Sequence, residues 1–291
     1  MNHKIARLVV HGAKKDKAVS RDTFTRFIEK FVEEEFNKRH YEFVLTYGGF
    51  LMFEFPADLC DNLKLEEIER KRISSLQDIA SNEVDSFFKS LLPEVYQKLR
   101  TIADFFFVGI DGYNSGNDNQ RVELIAVYDL KNETIIRWTG KFYPTEGQKR
   151  TLIKVNDLNS HFIELNNQKV LILGCHDLNV YHPRGQAVAT PDGFRRLLAD
   201  KFKRKCKKFS PEVVLQHPHK TDSPRIWLQS WKALESHLPS VAHYASGIYF
   251  ANYMNDTSEN IPRATITEVL EMTKKGDVVD FYFYRGRLKL M

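Results

Sequence analysis

Residues 169–175, KVLILGC, form an apolar run that is too short for an ordinary helix and lacks the alternation of a half-exposed strand. Such a run is the pattern of a strand buried on both faces, as in parallel sheets covered by helices. A helical stretch follows at 192–209, with Phe194, Leu197, Leu198, Phe202, Cys206 and Phe209 on one face. Next come a short apolar strand at 211–216, a helix at 224–237 opened by Pro224, and a third strand at 246–252. A helix at 265–274 and a closing strand or hairpin, VVDFYFYRGRLKL, complete the chain. Strand–helix alternation of this kind predicts an α/β class.

The segment before it reads differently. DFFFVGID at 104–111, VELIAVYDL and TIIRWTGKFYP, with a polar turn at Lys131-Asn132-Glu133, predict a three-stranded antiparallel meander. Nearer the N-terminus, KIARLVVH reads as a strand. Residues 21–37 read as a helix, with Phe24, Phe27, Ile28, Phe31, Val32 and Phe36 on one face. YEFVLTY and FLMFEF around Gly48-Gly49 predict a hairpin. Residues 57–100 are helical and highly charged, with Pro93 ending or restarting a helix. The expected organisation is an N-terminal α+β domain over 1–100 and an α/β domain over 101–291. The expected fold is α/β (α+β overall), with strands near 105, 122, 134, 170, 212 and 247 building one mixed sheet. In strand order this resembles a ribonuclease-H-like sheet, or a Rossmann-like sheet with an added hairpin.

Among 291 residues, no apolar run reaches the ~18 needed to span a bilayer. The opening Met1-Asn2-His3-Lys4 leads into no apolar core with a small-residue cleavage site, so no leader is expected. The three cysteines, Cys60, Cys175 and Cys206, show neither a CxxC nor a finger spacing. That disfavours a disulfide framework or structural zinc and points to a reducing, cytoplasmic setting. Cys175 reads as a core residue. A nucleophilic pairing with His176 is disfavoured, because adjacent strand residues face opposite ways.

In open α/β sheets, ligands bind beyond the carboxyl ends of the strands. Those ends carry Asp111-Gly112-Tyr113-Asn114, then Cys175-His176-Asp177 followed by Arg184, then His217-Pro218-His219-Lys220. If these clusters converge, Asp111 and Asp177 would hold Mg2+ or Mn2+, since hard cations prefer carboxylate oxygen. His176, His217 and His219 would serve as ligands or general bases. The GCHD tetrad is similar to the GNHD box of calcineurin-like phosphoesterases. That family's DxH and GDxxD boxes are missing, so its site is not carried over. No P-loop, GxGxxG, GxSxG or HExxH motif is present. Asp129 and Lys131 lie at a hairpin turn, the wrong place for a restriction-type D…[DE]xK strand.

The net charge of +5 is local. Residues 194–208 hold eight cations against Asp200, a net +7, which leaves −2 for the rest of the chain. Arg195, Arg196, Lys201, Arg204, Lys205 and Lys208, with Arg184 and Lys220, would contact phosphates. The expectation is a metal-dependent phosphodiesterase or nuclease acting on nucleic acid, with no membrane partner. Two alternatives stand beside it. One is a non-catalytic module binding nucleic acid or a nucleotide. The other is an assembly subunit meeting a protein partner through the charged 57–100 helices.

Overall fold

The structure is a computed structural model that describes residues 2–12, 21–56, 65–114, 120–148, 151–182, 193–219, 224–251, 264–284 and 286–291. In chain order its strands are β1 (Asn2–Gly12), β2 (His40–Leu45), β3 (Leu51–Phe55), β4 (Ala103–Asn114), β5 (Arg121–Asp129), β6 (Thr134–Gly140), β7 (Leu152–Ile153) and β8 (Phe162–Leu165). They continue with β9 (Gln168–Gly174), β10 (Val213–His217), β11 (His243–Ser246), β12 (Ile248–Ala251), β13 (Lys274–Lys275), β14 (Val278–Tyr284) and β15 (Arg287–Leu290). The helices are α1 (Arg21–Glu35), α2 (Leu65–Lys89), α3 (Pro93–Ile102), α4 (Phe194–Phe209), α5 (Pro224–His237) and α6 (Ile266–Met272).

The described strands build two sheets. The first runs β15-β14-β1-β2-β4-β5-β6, with β12 beside β1, β3 beside β4 and β7 beside β5. The second runs β13-β11-β10-β9-β8. Alternation along the strands explains how they stack. Phe105, Phe107, Ile125 and Val127 of the first sheet share a core with Val170, Ile172, Val213 and Leu215 of the second. Their neighbours Phe106, Val108, Leu124 and Ala126 face α1, α2 and α3 through Phe27, Phe31, Val84, Phe87 and Leu99. On the far side, Leu171, Leu173 and Val214 face α4 and α5 through Phe202, Cys206, Trp231 and Leu234. The result is a helix–sheet–sheet–helix stack.

The α/β class stands, and the single mixed sheet does not. A strand such as β9 is buried on both faces because another sheet covers one of them. Its apolar run carries no information about whether sheet or helix lies there. The ribonuclease-H-like and Rossmann-like orders are therefore both corrected. The meander is present as β4-β5-β6, antiparallel throughout. The boundary expected near residue 100 falls inside the first sheet, where β2 and β4 are parallel neighbours.

The expected Gly48-Gly49 hairpin is also corrected. β2 and β3 both run parallel to β4, one beyond the other along it. Between them the chain leaves the sheet, held by Thr46, whose N–H and Oγ1 both donate to Phe107 O at 3.1 and 3.0 Å. Two aromatic runs around Gly-Gly look like a hairpin locally, but both runs pair with β4 instead of with each other.

The C-terminal part is tied back by Arg7, which is fully buried. Its guanidinium donates to Asp280, to Thr273 Oγ1 and to the carbonyls of Ser246, Thr273 and Leu270. A buried charge needs this many partners to be tolerated. Helix α2 is not long and apolar enough to cross a membrane, nor is any other described helix.

Candidate active site

β9 ends at Gly174, and the chain turns at once into a short 3-10 segment, Asp177–Val180. Cys175 sits in that turn, one residue beyond the strand, so strand alternation no longer governs where its thiol points. Two side chains fix the turn. The Asp177 carboxylate accepts from Gly174 N–H at 2.7 Å and from Tyr143 and Phe142 N–H at 2.9 and 3.2 Å. Gln216 Nε2 donates to Cys175 O at 2.9 Å, while its Oε1 accepts from Ser246 Oγ, which in turn accepts from Trp231 Nε1. A Cβ on Gly174 would come within 2.9 Å of Lys141 Cα, so glycine there lets the Lys141 backbone lie against the turn.

Around the thiol stand groups from four other segments. Lys141, just past β6, is fully buried. Its ammonium donates to Glu123 at 3.2 Å, to Gln148 Oε1 at 2.6 Å and to His176 Nδ1 at 3.2 Å. Glu123 lies on β5 and also accepts from Gln148 Nε2 at 3.2 Å. His219 follows β10, with its backbone N–H directed at Cys175 Sγ at 3.5 Å and its Nε2 2.6 Å from Asp111 Oδ2 on β4. One ligand-type atom from each of Glu123, Cys175 and His219 lies within 4.8 Å of the others. The 46–49 loop closes over Asp111: Gly49 has φ +75°, and a Cβ there would be 2.9 Å from Asp111 Oδ2.

These neighbours set the charge state of the thiol. Burial pushes it up, but His176 and His219 outweigh burial and bring it down to about 5. Burial works against protonation of His219, yet Asp111, Glu123 and Cys175 hold its imidazole well above the ordinary histidine range. Both shifts favour the charged forms, a thiolate at Cys175 and an imidazolium at His219. This is the arrangement of an activated nucleophile.

The expected phosphodiesterase site is not assembled. Asp177 is fully buried, and both its oxygens are occupied by backbone N–H groups, so it positions the turn instead of holding a cation. Burial lifts its carboxyl to about 7. Asp111 is paired with His219 instead of with Asp177. His217 is buried in β10, and burial pushes its imidazole down to about 3, which leaves it neutral. Asp111, His176 and His219 do meet, but around a sulfur. The Glu123, Cys175 and His219 donors are not the oxygen shell that Mg2+ or Mn2+ requires, and Glu123 is already neutralised by Lys141 at 3.0 Å.

Arg184 and Lys220 lie outside the described residues. The other predicted phosphate contacts belong to α4, on the outer face of the second sheet. Arg195 stacks over Tyr143 at 4.6 Å, and Lys205 donates to Asn159 Oδ1 at 2.7 Å. Arg196, Lys201, Arg204 and Lys208 are exposed. None of them is among the groups that contact Cys175. Three site residues were not singled out by sequence reasoning: Lys141, Glu123 and Gln148. Glu123 left one signal, a lone carboxylate near the start of the apolar run VELIAV.

No protein-family profile matches the sequence, and no curated protein matches it. Among solved structures the chain is similar to an amidase from Nesterenkonia sp. AN1, described with acrylamide added at its active-site cysteine. Identity is 13%, covering 84% of this chain and 78% of that one, with a TM-score of 0.42. A cysteine-to-alanine mutant of the same amidase, described as from the nitrilase superfamily, aligns at 12% identity, covering 84% and 75%, with a TM-score of 0.43. The glutamine-dependent NAD+ synthetase from Acinetobacter baumannii aligns at 13% identity, covering 81% of this chain and 37% of that one, with a TM-score of 0.42. The expectation of a metal-dependent nuclease is withdrawn, because Asp111 and Asp177, the residues assigned to its metal, are engaged by His219 and by backbone N–H groups.

Proposed function

We propose that the chain is a thiol-dependent acyl-transfer hydrolase acting on a carboxamide or related C–N bond. The observation that carries this reading is the Cys175 thiol, lodged in a tight turn after β9, among His219, Glu123 and Lys141. A thiolate attacks an acyl carbon and forms a thioester, and the developing oxyanion needs a fixed positive charge. Lys141 is such a charge, held rigid by Glu123, Gln148 and His176. An amine is a poor leaving group unless protonated, and a site that keeps a proton beside the sulfur suits C–N cleavage.

The test is ammonia release from a panel of primary carboxamides by the wild-type chain and by Cys175→Ala. Turnover of at least one carboxamide that is lost in Cys175→Ala is the expected result. Equal turnover by both proteins would remove Cys175 from the reaction.

A further inference from the structure

Two proton-carrying groups, Glu123 and His219, lie near the sulfur, and they are committed to different partners. Glu123 accepts from Lys141 and from Gln148, is nearly buried, and neutralises the lysine charge. Its carboxylate is the lysine's anchor, and using it as a proton carrier would uncouple Lys141. His219 is placed differently. Its side chain is 31% exposed, against 7% for Glu123 and 0% for Lys141, so of the three it is the one open to solvent. Asp111 holds Nε2 of this imidazole at 2.6 Å, and Nδ1 lies on the Glu123 side at 3.7 Å. His176 interacts with the thiol as well, but its Nδ1 accepts from the Lys141 ammonium.

We propose that His219 is the acid–base residue of the Cys175 reaction and that Asp111 is its positioning residue. This rests on the reading of Cys175 as an acyl-transfer nucleophile. In the first half, the thiolate forms a bond to the acyl carbon and the C–N bond breaks. The amine leaves with the proton that His219 carried. In the second half, water attacks the thioester carbon and gives its proton to His219. The C–S bond then breaks, returning the thiolate and the imidazolium. The groups facing His219 are Asp111 from β4, Glu123 from β5, and Cys175 after β9. Acylation removes the sulfur's negative charge, one of the three charges that hold the proton on His219, and so favours the neutral imidazole when water must be activated.

The experiment uses 4-nitrophenyl acetate, whose leaving group needs no proton, so that acylation and deacylation separate. Wild type is expected to acetylate at Cys175 and turn over. His219→Gln is expected to acetylate but to release acetate ~100-fold more slowly or worse, so the acetyl-enzyme accumulates and is seen by intact mass. Asp111→Asn is expected to lower the deacylation plateau and to move its acid limb to lower pH, since the imidazole loses the anion that holds its proton. A purely structural role for Asp111 would leave that limb in place. Thermal unfolding of each variant verifies the fold. Deacylation of folded His219→Gln at the wild-type rate would overturn the proposal, as would accumulation in Glu123→Gln alone. Failure of wild type to acetylate at all would instead remove the acyl-transfer reading beneath it.

Discussion

Lys141 and Glu123 form a buried ion pair at 3.0 Å, with the lysine side chain wholly inaccessible to solvent. Breaking such a pair leaves an uncompensated charge inside the protein, at a cost of about 3–5 kcal/mol. Lys141→Met should therefore unfold at markedly lower temperature than wild type and acylate slowly. Replacing both residues with apolar ones should restore much of the stability and none of the activity. A differential scanning series on the single and double variants measures the first effect, and a 4-nitrophenyl acetate burst measures the second.

Cys175 should react with iodoacetamide as a thiolate far into the acid range. A free cysteine loses reactivity below about pH 8.5. Burial would raise that further, but His176 and His219 bring the Cys175 thiol to about 5. Its alkylation rate should stay level as pH falls through neutrality and drop near pH 5. A midpoint at or above the ~8.5 of a free thiol would show that the imidazoles do not govern it.

Gly49 occupies the left-handed region, and any Cβ there presses on Asp111 Oδ2. Gly49→Ala should cost about 1–2 kcal/mol from backbone conformation alone, read as a shift of the urea midpoint. It should also slow turnover by pushing Asp111 away from His219. Full activity with unchanged stability would mean the loop is not fixed against the pair.

Asp177 gives a pH signature. Its carboxyl is held at about 7, above the ~3.9 of an unfolded chain. The native state then binds the proton more tightly, so this residue costs stability progressively as pH rises from about 4 to about 7, and the cost is constant above that. In Asp177→Asn this component is absent. Stability should fall less between about pH 5 and about pH 8 than in wild type, from a lower starting point because one N–H acceptor is lost. Parallel slopes in the two proteins would contradict the raised carboxyl.

Chelation should be without effect. Asp111 is engaged by His219 and Asp177 by three backbone N–H groups. Activity in excess EDTA should match activity in Mg2+ or Mn2+, and EDTA-sensitive turnover would bring back a metal.

Much of the fold was legible wherever the pattern was local. The β4-β5-β6 meander, the helix opened by Pro224 and the closing β structure, expected as a strand or hairpin, follow from alternation, turn residues and helix-start chemistry. The stacking of two sheets was not legible, because Val170 and Leu171 look equally apolar whether sheet or helix covers them. The Gly48-Gly49 segment failed for a related reason: its pairing partner, β4, lies far along the chain, and nothing local announces it. Asp111, His176 and His219 stand out in the sequence because ligands gather at strand ends, and the structure places Asp111 against His219. Cys175 was set aside by applying strand alternation to a residue one step past the strand. Lys141 carries no local signal, since a lysine after a strand is ordinarily solvated and only the tertiary fold buries it.

Covalent chemistry at Cys175 is tested most directly by peptide mass mapping after a short reaction with 4-nitrophenyl acetate quenched in acid. The expected result is one acetyl group on the peptide carrying Cys175, none there in Cys175→Ala, and loss of the label on further incubation of the wild type. An unlabelled Cys175 in folded protein, or a label that is never released, would contradict it.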